Sequence, residues 1–283
     1  MKVLFISDFS LPQNSGGAQQ SNDIIIQKGQ ERGHQITLHT HESSPIDFLS
    51  HYDVLVSSNL EHINHAFPYK LDFILKHPCH IRYEHDSCLY FNADLRQKIF
   101  ESTKISFFST NFHISRFRAN YGDYFKNVEV VYEPINTDLF KDEGKDKIHD
   151  IIYCGYLHPL KGLNKLIEFA RENPDRQISV FGWGEKDIEK AFEEVENIEF
   201  FGKKTQEEIA KIFKQSKAIF HHPIVDEPFC RMIAEGLLCG VEEVIGDTER
   251  IGAYLEFLKE GKESFREKCT NASNIWWDKV EKI

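Results

Sequence analysis

The chain has 283 residues, 41% of them hydrophobic and 28% charged. This is an ordinary globular balance at a length near the limit of one hydrophobic core, so two domains of roughly 120 to 150 residues are expected. Lys and Arg number 34 against 45 Asp and Glu, a net charge of −11, which argues against broad electrostatic attraction to nucleic acid or an anionic membrane and leaves room only for a local basic patch. No apolar stretch approaches the ~18 residues of a membrane span, and the apolar run in "MKVLFIS" is cut off by Asp8 too early for a secretory signal. The cysteines, Cys79, Cys88, Cys154, Cys230, Cys239 and Cys269, include no CxxC pair and several lie in apolar runs. They read as reduced thiols of a cytoplasmic protein, free or peripherally attached to a membrane.

From the N-terminus, short β-branched and aromatic runs alternate with helical periodicity. Residues 2–7, 35–40, 53–58, 80–85, 104–110 and 128–132 read as strands, mostly apolar throughout, the mark of parallel strands buried on both faces. Helices are predicted between them at 17–32, 67–76, 92–101 and 111–120. The polar, lysine-rich "KDEGKDKIHD" at 141–150 reads as a linker. Beyond it the alternation restarts, with strands in "IIYCGY", "ISVFGW", "IEFFGK", "AIFHH" and "EEVIG" and helices at 162–172, 186–195, 205–215, 228–239 and 248–260; Thr205 and Glu208 fit a capping box. Two successive βαβ arrays predict an α/β protein of two Rossmann-like domains, 1–145 and 146–271, facing across a cleft with ligands at the carboxyl ends of the strands.

Within "DEPFCRMIAEGLLCG" at 226–240, Pro228 suits the first turn of a helix and Phe229, Met232, Ile233 and Leu237 supply its packing stripe. Glu227 would then sit at the helix mouth and Glu235 about 12 Å along the axis on the same broad side. Spacing alone leaves two readings open: a ligand-facing pair of carboxylates, or an exposed Glu235 with Glu227 favoured by the helix dipole.

This segment resembles the paired-glutamate signature of the retaining, GT-B-fold glycosyltransferases of family 4, within the group 1 glycosyl transferases, matching at Glu227, Phe229, Glu235, Cys239 and Gly240. The resemblance extends along the chain. "CGYLHPLKGLNKLIEFA" at 154–170 is similar to the family's diphosphate-contacting segment, with Lys161 and Gly162 matching and Tyr156 standing where the family usually has arginine. "FGWGE" resembles a Gly-x-Gly turn that includes Gly184; "SGGAQQ" resembles the glycine loop, with Gly16 and Gly17; and "YEHDS" resembles the strand end whose histidine, here His85, lines the reaction centre. "EPINTDLF" at 133–140 lacks the glycine of the corresponding family segment, and the helix 272–283, with "NIWWDKVEKI", resembles the one that returns to complete the first domain.

The resemblance implies transfer of a hexose from a nucleotide-diphosphate sugar, a UDP- or GDP-sugar, to a glycan, lipid-linked or small-molecule hydroxyl, with retention, no cofactor and no obligatory metal. It assigns His85, Glu227 and Lys161 to catalysis, and Gly16, Gly17, Tyr156, Lys161, Gly184, Phe229, Cys230 and Glu235 to the donor, with Glu235 accepting from the ribose hydroxyls. Lys161 at a helix start is also physically suited to phosphate. The glycine loop is not GxGxxG, which argues against a dinucleotide oxidoreductase. His77, Cys79, His80, His85 and Cys88 fit no zinc spacing, and His221 and His222 end a strand without an assigned role. The departures near Tyr156 and 134–136 keep open a catalytically weak protein of the same fold that binds a nucleotide or glycan or partners an active enzyme; an epimerase or a phosphorylase-like enzyme is a more distant alternative.

Overall fold

The computed structural model describes residues 1–11, 16–40, 43, 51–58, 71–86, 93–123, 125 and 127–283, without the side chains of 93–96. Ser15, the expected helical residues 67–70 and 92, Ser87 and Cys88 lie outside the described residues. The chain forms two compact units, Met1–Pro134 with Thr270–Ile283, and Ile135–Cys269.

The first unit carries strands β1 (Lys2–Ile6), β2 (Gln35–His39), β3 (Val54–Ser57), β4 (His80–Tyr83), β5 (Ile105–Phe108) and β6 (Val128–Val130), with helices α1 (Gly17–Glu31), α2 (Leu71–Leu75), α3 (Ala93–Ser102) and α4 (Asn111–Tyr121). The strands run parallel in the order β2-β1-β3-β4-β5-β6. Successive residues of β1 point to opposite faces, so Val3 and Phe5 join one core while Leu4 and Ile6 join another. That is why these runs are apolar without alternation.

The second unit holds β7 (His149–Leu157), α5 (Leu163–Glu172), β8 (Ile178–Gly184), α6 (Lys186–Glu193), β9 (Ile198–Phe200), α7 (Gln206–Lys214), β10 (Ser216–Phe220), α8 (Arg231–Leu238), β11 (Glu243–Ile245) and α9 (Gly252–Glu260). Its sheet is also parallel, ordered β11-β10-β7-β8-β9. The capping box at Thr205 and Glu208 is present. The lysine-rich stretch read as a linker is tied to this unit: Asp142 pairs with Lys262 at 3.0 Å and Glu143 with Lys214 at 2.7 Å.

The final helix, α10 (Lys262–Val280), starts well before the expected 272. Phe265, Cys269, Ala272 and Trp276 recur at helical spacing and are fully buried. Its end belongs to the first unit, where Trp276 and Trp277 enter the core with Tyr83 and Phe107, and Trp277 Nε1 donates to the Ile25 carbonyl at 2.8 Å. The aryl ring of Trp277 also occupies the space a side chain at Gly29 would need.

Candidate active site

In the second unit the strand order reverses between β7 and β10, and crevices at such switch points are where open α/β sheets take ligands. The chain leaving β7 makes a short 3-10 turn, Pro159–Lys161, capped by His158, whose side chain accepts from the Leu160 N–H. Gly162 follows with φ 77°, and a Cβ there would lie 1.8 Å from the His222 carbonyl oxygen. Only glycine fits both demands, so the turn after β7 packs directly on the chain leaving β10. This contact brings Lys161 Nζ to 2.6 Å from Glu227 Oε1.

Glu227 is not at a helix mouth. Helix α8 begins at Arg231, and Pro228 lies in the loop before it. Glu227 forms a parallel bridge with Ile251: its N–H donates to the Arg250 carbonyl and its carbonyl accepts from Gly252 N–H. The backbone hydrogen bonds that a helical start would have supplied are met by this neighbouring strand segment instead. The buried His221, just past β10, sits with Nε2 3.4 Å from Glu227 Oε1. Burial pushes the Glu227 carboxyl up, but the Lys161 ammonium and His221 outweigh it and hold the group well below the usual carboxylate range. Burial likewise pulls His221 down, yet the Cys230 sulfur and Glu227 overcome it and push it up to about 9.

Glu235 is buried, not exposed, on α8. Arg231, one turn earlier, is 3.1 Å from its Oε1 but out of hydrogen-bond alignment, so that oxygen accepts no hydrogen bond. Burial raises the carboxyl against the pull of Arg231. Neither α5 nor α8 has a side-chain cap at its N-terminus; helix starts with uncapped N–H groups suit an anion. Gly184 allows β8 to approach β7, since a Cβ there would meet the Leu157 carbonyl at 2.3 Å. Tyr156 is 46% exposed at the end of β7, its ring 6.1 Å from that of Trp183. Phe229 is different: its side chain is buried and stacked on Phe265, so it anchors the loop rather than facing a ligand. Cys230 is the N-cap of α8 and lies within the group formed by His221 and Glu227.

Two of the sequence-derived positions thus meet directly, Lys161 and Glu227, with Cys230 beside Glu227 and Glu235 on the adjoining helix. Sequence reading left His221 without a role and missed Arg231. The i, i+4 spacing of Arg231 and Glu235 was a usable signal.

In the first unit, Gly16 is the N-cap of α1 and Gly17 its first residue. His85 is buried, with Nδ1 3.0 Å from Glu133 Oε1 and Nε2 2.9 Å from Asn22 Oδ1. Asn22 in turn donates to Ser7 and Ser58, and Glu133 accepts from Tyr83. Both ring nitrogens of His85 are therefore engaged, and neither is open to a substrate proton in this arrangement. Burial lowers its pKa but Glu133 overcomes that and raises it. Of the other histidines and cysteines that tempted a metal reading, His80 is held between the Ser57 and Ser102 hydroxyls and His77 reaches the Tyr52 carbonyl.

Residues 135–277 match the family model described as glycosyl transferases group 1. The chain belongs to this family. The match begins where the second unit begins and contains Lys161, Glu227 and Glu235. No curated protein sequence matches the chain. Among solved structures it is similar to Anabaena HepE in complex with UDP and glucose, at 16% identity over 97% of this chain and 94% of that one, with a TM-score of 0.68. It is similar also to sucrose-phosphate synthase from Thermosynechococcus elongatus, at 12% identity over 99% and 96%, TM-score 0.73. A third is WaaG, a glycosyltransferase involved in lipopolysaccharide biosynthesis, at 15% identity over 98% and 99%, TM-score 0.62. Two parallel-sheet Rossmann-like units with these likenesses make the fold of this family member GT-B. No helix among the described residues is long and apolar enough to cross a membrane.

Proposed function

We propose that the chain transfers a hexosyl group from a UDP- or GDP-sugar to an acceptor hydroxyl, with retention of anomeric configuration and without an obligatory metal. The observation that carries the reading is the Lys161–Glu227 pair at the switch point of the second unit, 2.6 Å long and flanked by two uncapped helix starts. The family membership and the UDP and glucose held by HepE support a nucleotide-sugar donor. Retention and metal independence rest on the resemblance of the paired-glutamate segment.

Breaking an anomeric C–O bond to a diphosphate develops negative charge on the leaving oxygen and oxocarbenium character on the sugar. Lys161 is a half-exposed ammonium that Glu227 holds in place, so it can turn to a diphosphate seated at the helix starts without a search for its position. Glu227, kept ionised, then faces the sugar end of the donor. Glu235, with an oxygen that accepts no hydrogen bond, takes the ribose hydroxyls. By the family resemblance Tyr156 replaces an arginine that would have added a second cation to the phosphate site, which leaves Lys161 as its main charge. Retention follows if the acceptor attacks the face from which the diphosphate leaves, with a phosphate oxygen receiving the acceptor proton.

The test is a panel of UDP-, GDP- and ADP-sugars read first by thermal shift, since a ligand of the folded state raises its stability, and then by slow release of nucleoside diphosphate. One donor should give both. Stabilisation without release by any donor would favour a binding protein of the same fold, and neither response would remove the donor reading.

A further inference from the structure

Glu227 belongs to a second constellation. His221, Glu227 and Cys230 each offer one ligand atom, and the three atoms lie within 4.8 Å of one another. The His221 Nε2 to Glu227 Oε1 separation is 3.4 Å. A tetrahedral ion with bonds of about 2.0–2.3 Å needs ligand atoms roughly 3.3–3.8 Å apart, so this edge is already at a coordinating distance. His221 is 2% exposed, and neither of its ring nitrogens has a hydrogen-bond partner. A buried imidazole normally has at least one such bond.

Cys230 supplies an independent observation. Its φ of 70° makes it the only non-glycine residue with positive φ among the described residues. A cysteine gains nothing from that backbone, which crowds the Cβ of an L-residue against its own chain, and such strain concentrates where side chains are aimed for function. Here it accompanies a thiol placed beside an unbonded imidazole and a carboxylate. Imidazole, thiolate and carboxylate together suit zinc; magnesium and calcium take all-oxygen sets.

We infer that His221, Glu227 and Cys230 form a zinc site that competes with Lys161 for Glu227. Zinc takes the sulfur as thiolate and the imidazole as its neutral form, so the thiol proton and the proton that His221 carries both leave to solvent. Three protein ligands leave a fourth position for water. Lys161 Nζ and His221 Nε2 approach the same oxygen, Glu227 Oε1, so an ion seated on that oxygen takes the place of the ammonium, whose side chain, 37% exposed, has solvent to swing into. The zinc-bound and Lys161-paired forms are therefore alternatives. That this alternation would also govern donor binding rests on the proposed function, but the zinc site itself does not.

The experiment uses the full chain, reduced and free of chelators, titrated with cobalt(II) as an optical stand-in and with zinc as competitor. One equivalent of cobalt should give a near-ultraviolet thiolate charge-transfer band that zinc abolishes. Cys230→Ser should lose the band and weaken zinc about 100-fold or more, since even indirect supports of a metal site are worth ~10–100-fold. Cys230→Gly should lose the band while melting at a higher temperature than the parent, because it relieves the backbone strain; this separates ligand loss from misfolding. Lys161→Met should tighten zinc by about tenfold or more by removing the competing charge. Cys79→Ser, in the other unit, should keep the band. A band that survives Cys230→Gly, no binding at one equivalent, or zinc affinity unchanged in Lys161→Met would each overturn the inference. None of these readouts depends on transferase activity, so failure of the donor assignment would leave them intact.

Discussion

Gly162→Ala tests the contact that assembles the site. The glycine sits at φ 77°, and a Cβ would come 1.8 Å from the His222 carbonyl oxygen and 2.6 Å from its carbon. The obstacle is backbone, so no rotamer change relieves it. The left-handed conformation alone costs about 1–2 kcal/mol with a side chain. Pushing the chain after β10 back to ordinary contact, by about 1.6 Å, adds ~1–3 kcal/mol of overpacking strain. Gly202→Ala is the matched control in the same unit, with φ 69° and nothing within 4 Å of its Cβ, so it bears only the first cost. Urea midpoints should therefore fall in both variants and about twice as far in Gly162→Ala. The displacement also separates Lys161 from Glu227, so nucleotide-sugar affinity should drop about tenfold, the equivalent of ~1.4 kcal/mol, in Gly162→Ala and hold in Gly202→Ala. Equal urea midpoints for the two variants would refute the close packing of the two turns.

Glu235→Ala should weaken nucleotide-sugar binding by about 1.5–3 kcal/mol if its carboxylate accepts ribose hydroxyls away from water; calorimetry with unchanged affinity would take Glu235 out of the donor site. Trp277→Ala should destabilise the first unit by about 3–5 kcal/mol, because the ring is fully buried and its N–H is bonded to Ile25. A chain ending at residue 270 should do worse, and native stability in either would contradict the packing of α10 described above.

Strands such as β1 and β3 were legible because they are short, almost wholly apolar and buried on both faces, so neither register nor partner was needed to see them. The start of α8 was misplaced for a physical reason. Phe229 keeps the apolar spacing of the helix, but its ring packs on Phe265 from a loop, and Cys230 in the left-handed region breaks the helix just before Arg231. Pro228 reinforced the false start. The beginning of α10 was readable in the recurrence of Phe265, Cys269 and Ala272, and was obscured by the charged residues between them. Lys161 and Glu227 were each visible as residues, but their pairing joins positions 66 apart and depends on a carbonyl of His222 that no side-chain pattern reports. His85 shows the same limit from the other side. Its identity was plain, while the groups that occupy it, Glu133 and Asn22, lie 48 and 63 positions away.

The most direct measurement is single-turnover release of nucleoside diphosphate from the donor that stabilises the parent protein, compared between the parent, Lys161→Ala and Glu227→Gln. With Tyr156 offering no second cation, Lys161→Ala should slow release on the order of 10²-fold or more. Glu227→Gln should lower turnover more than donor affinity, since its proposed partner is the reacting sugar. Near-parental release by Lys161→Ala on a confirmed donor would contradict the account, because the diphosphate would then lie away from the turn between β7 and α5.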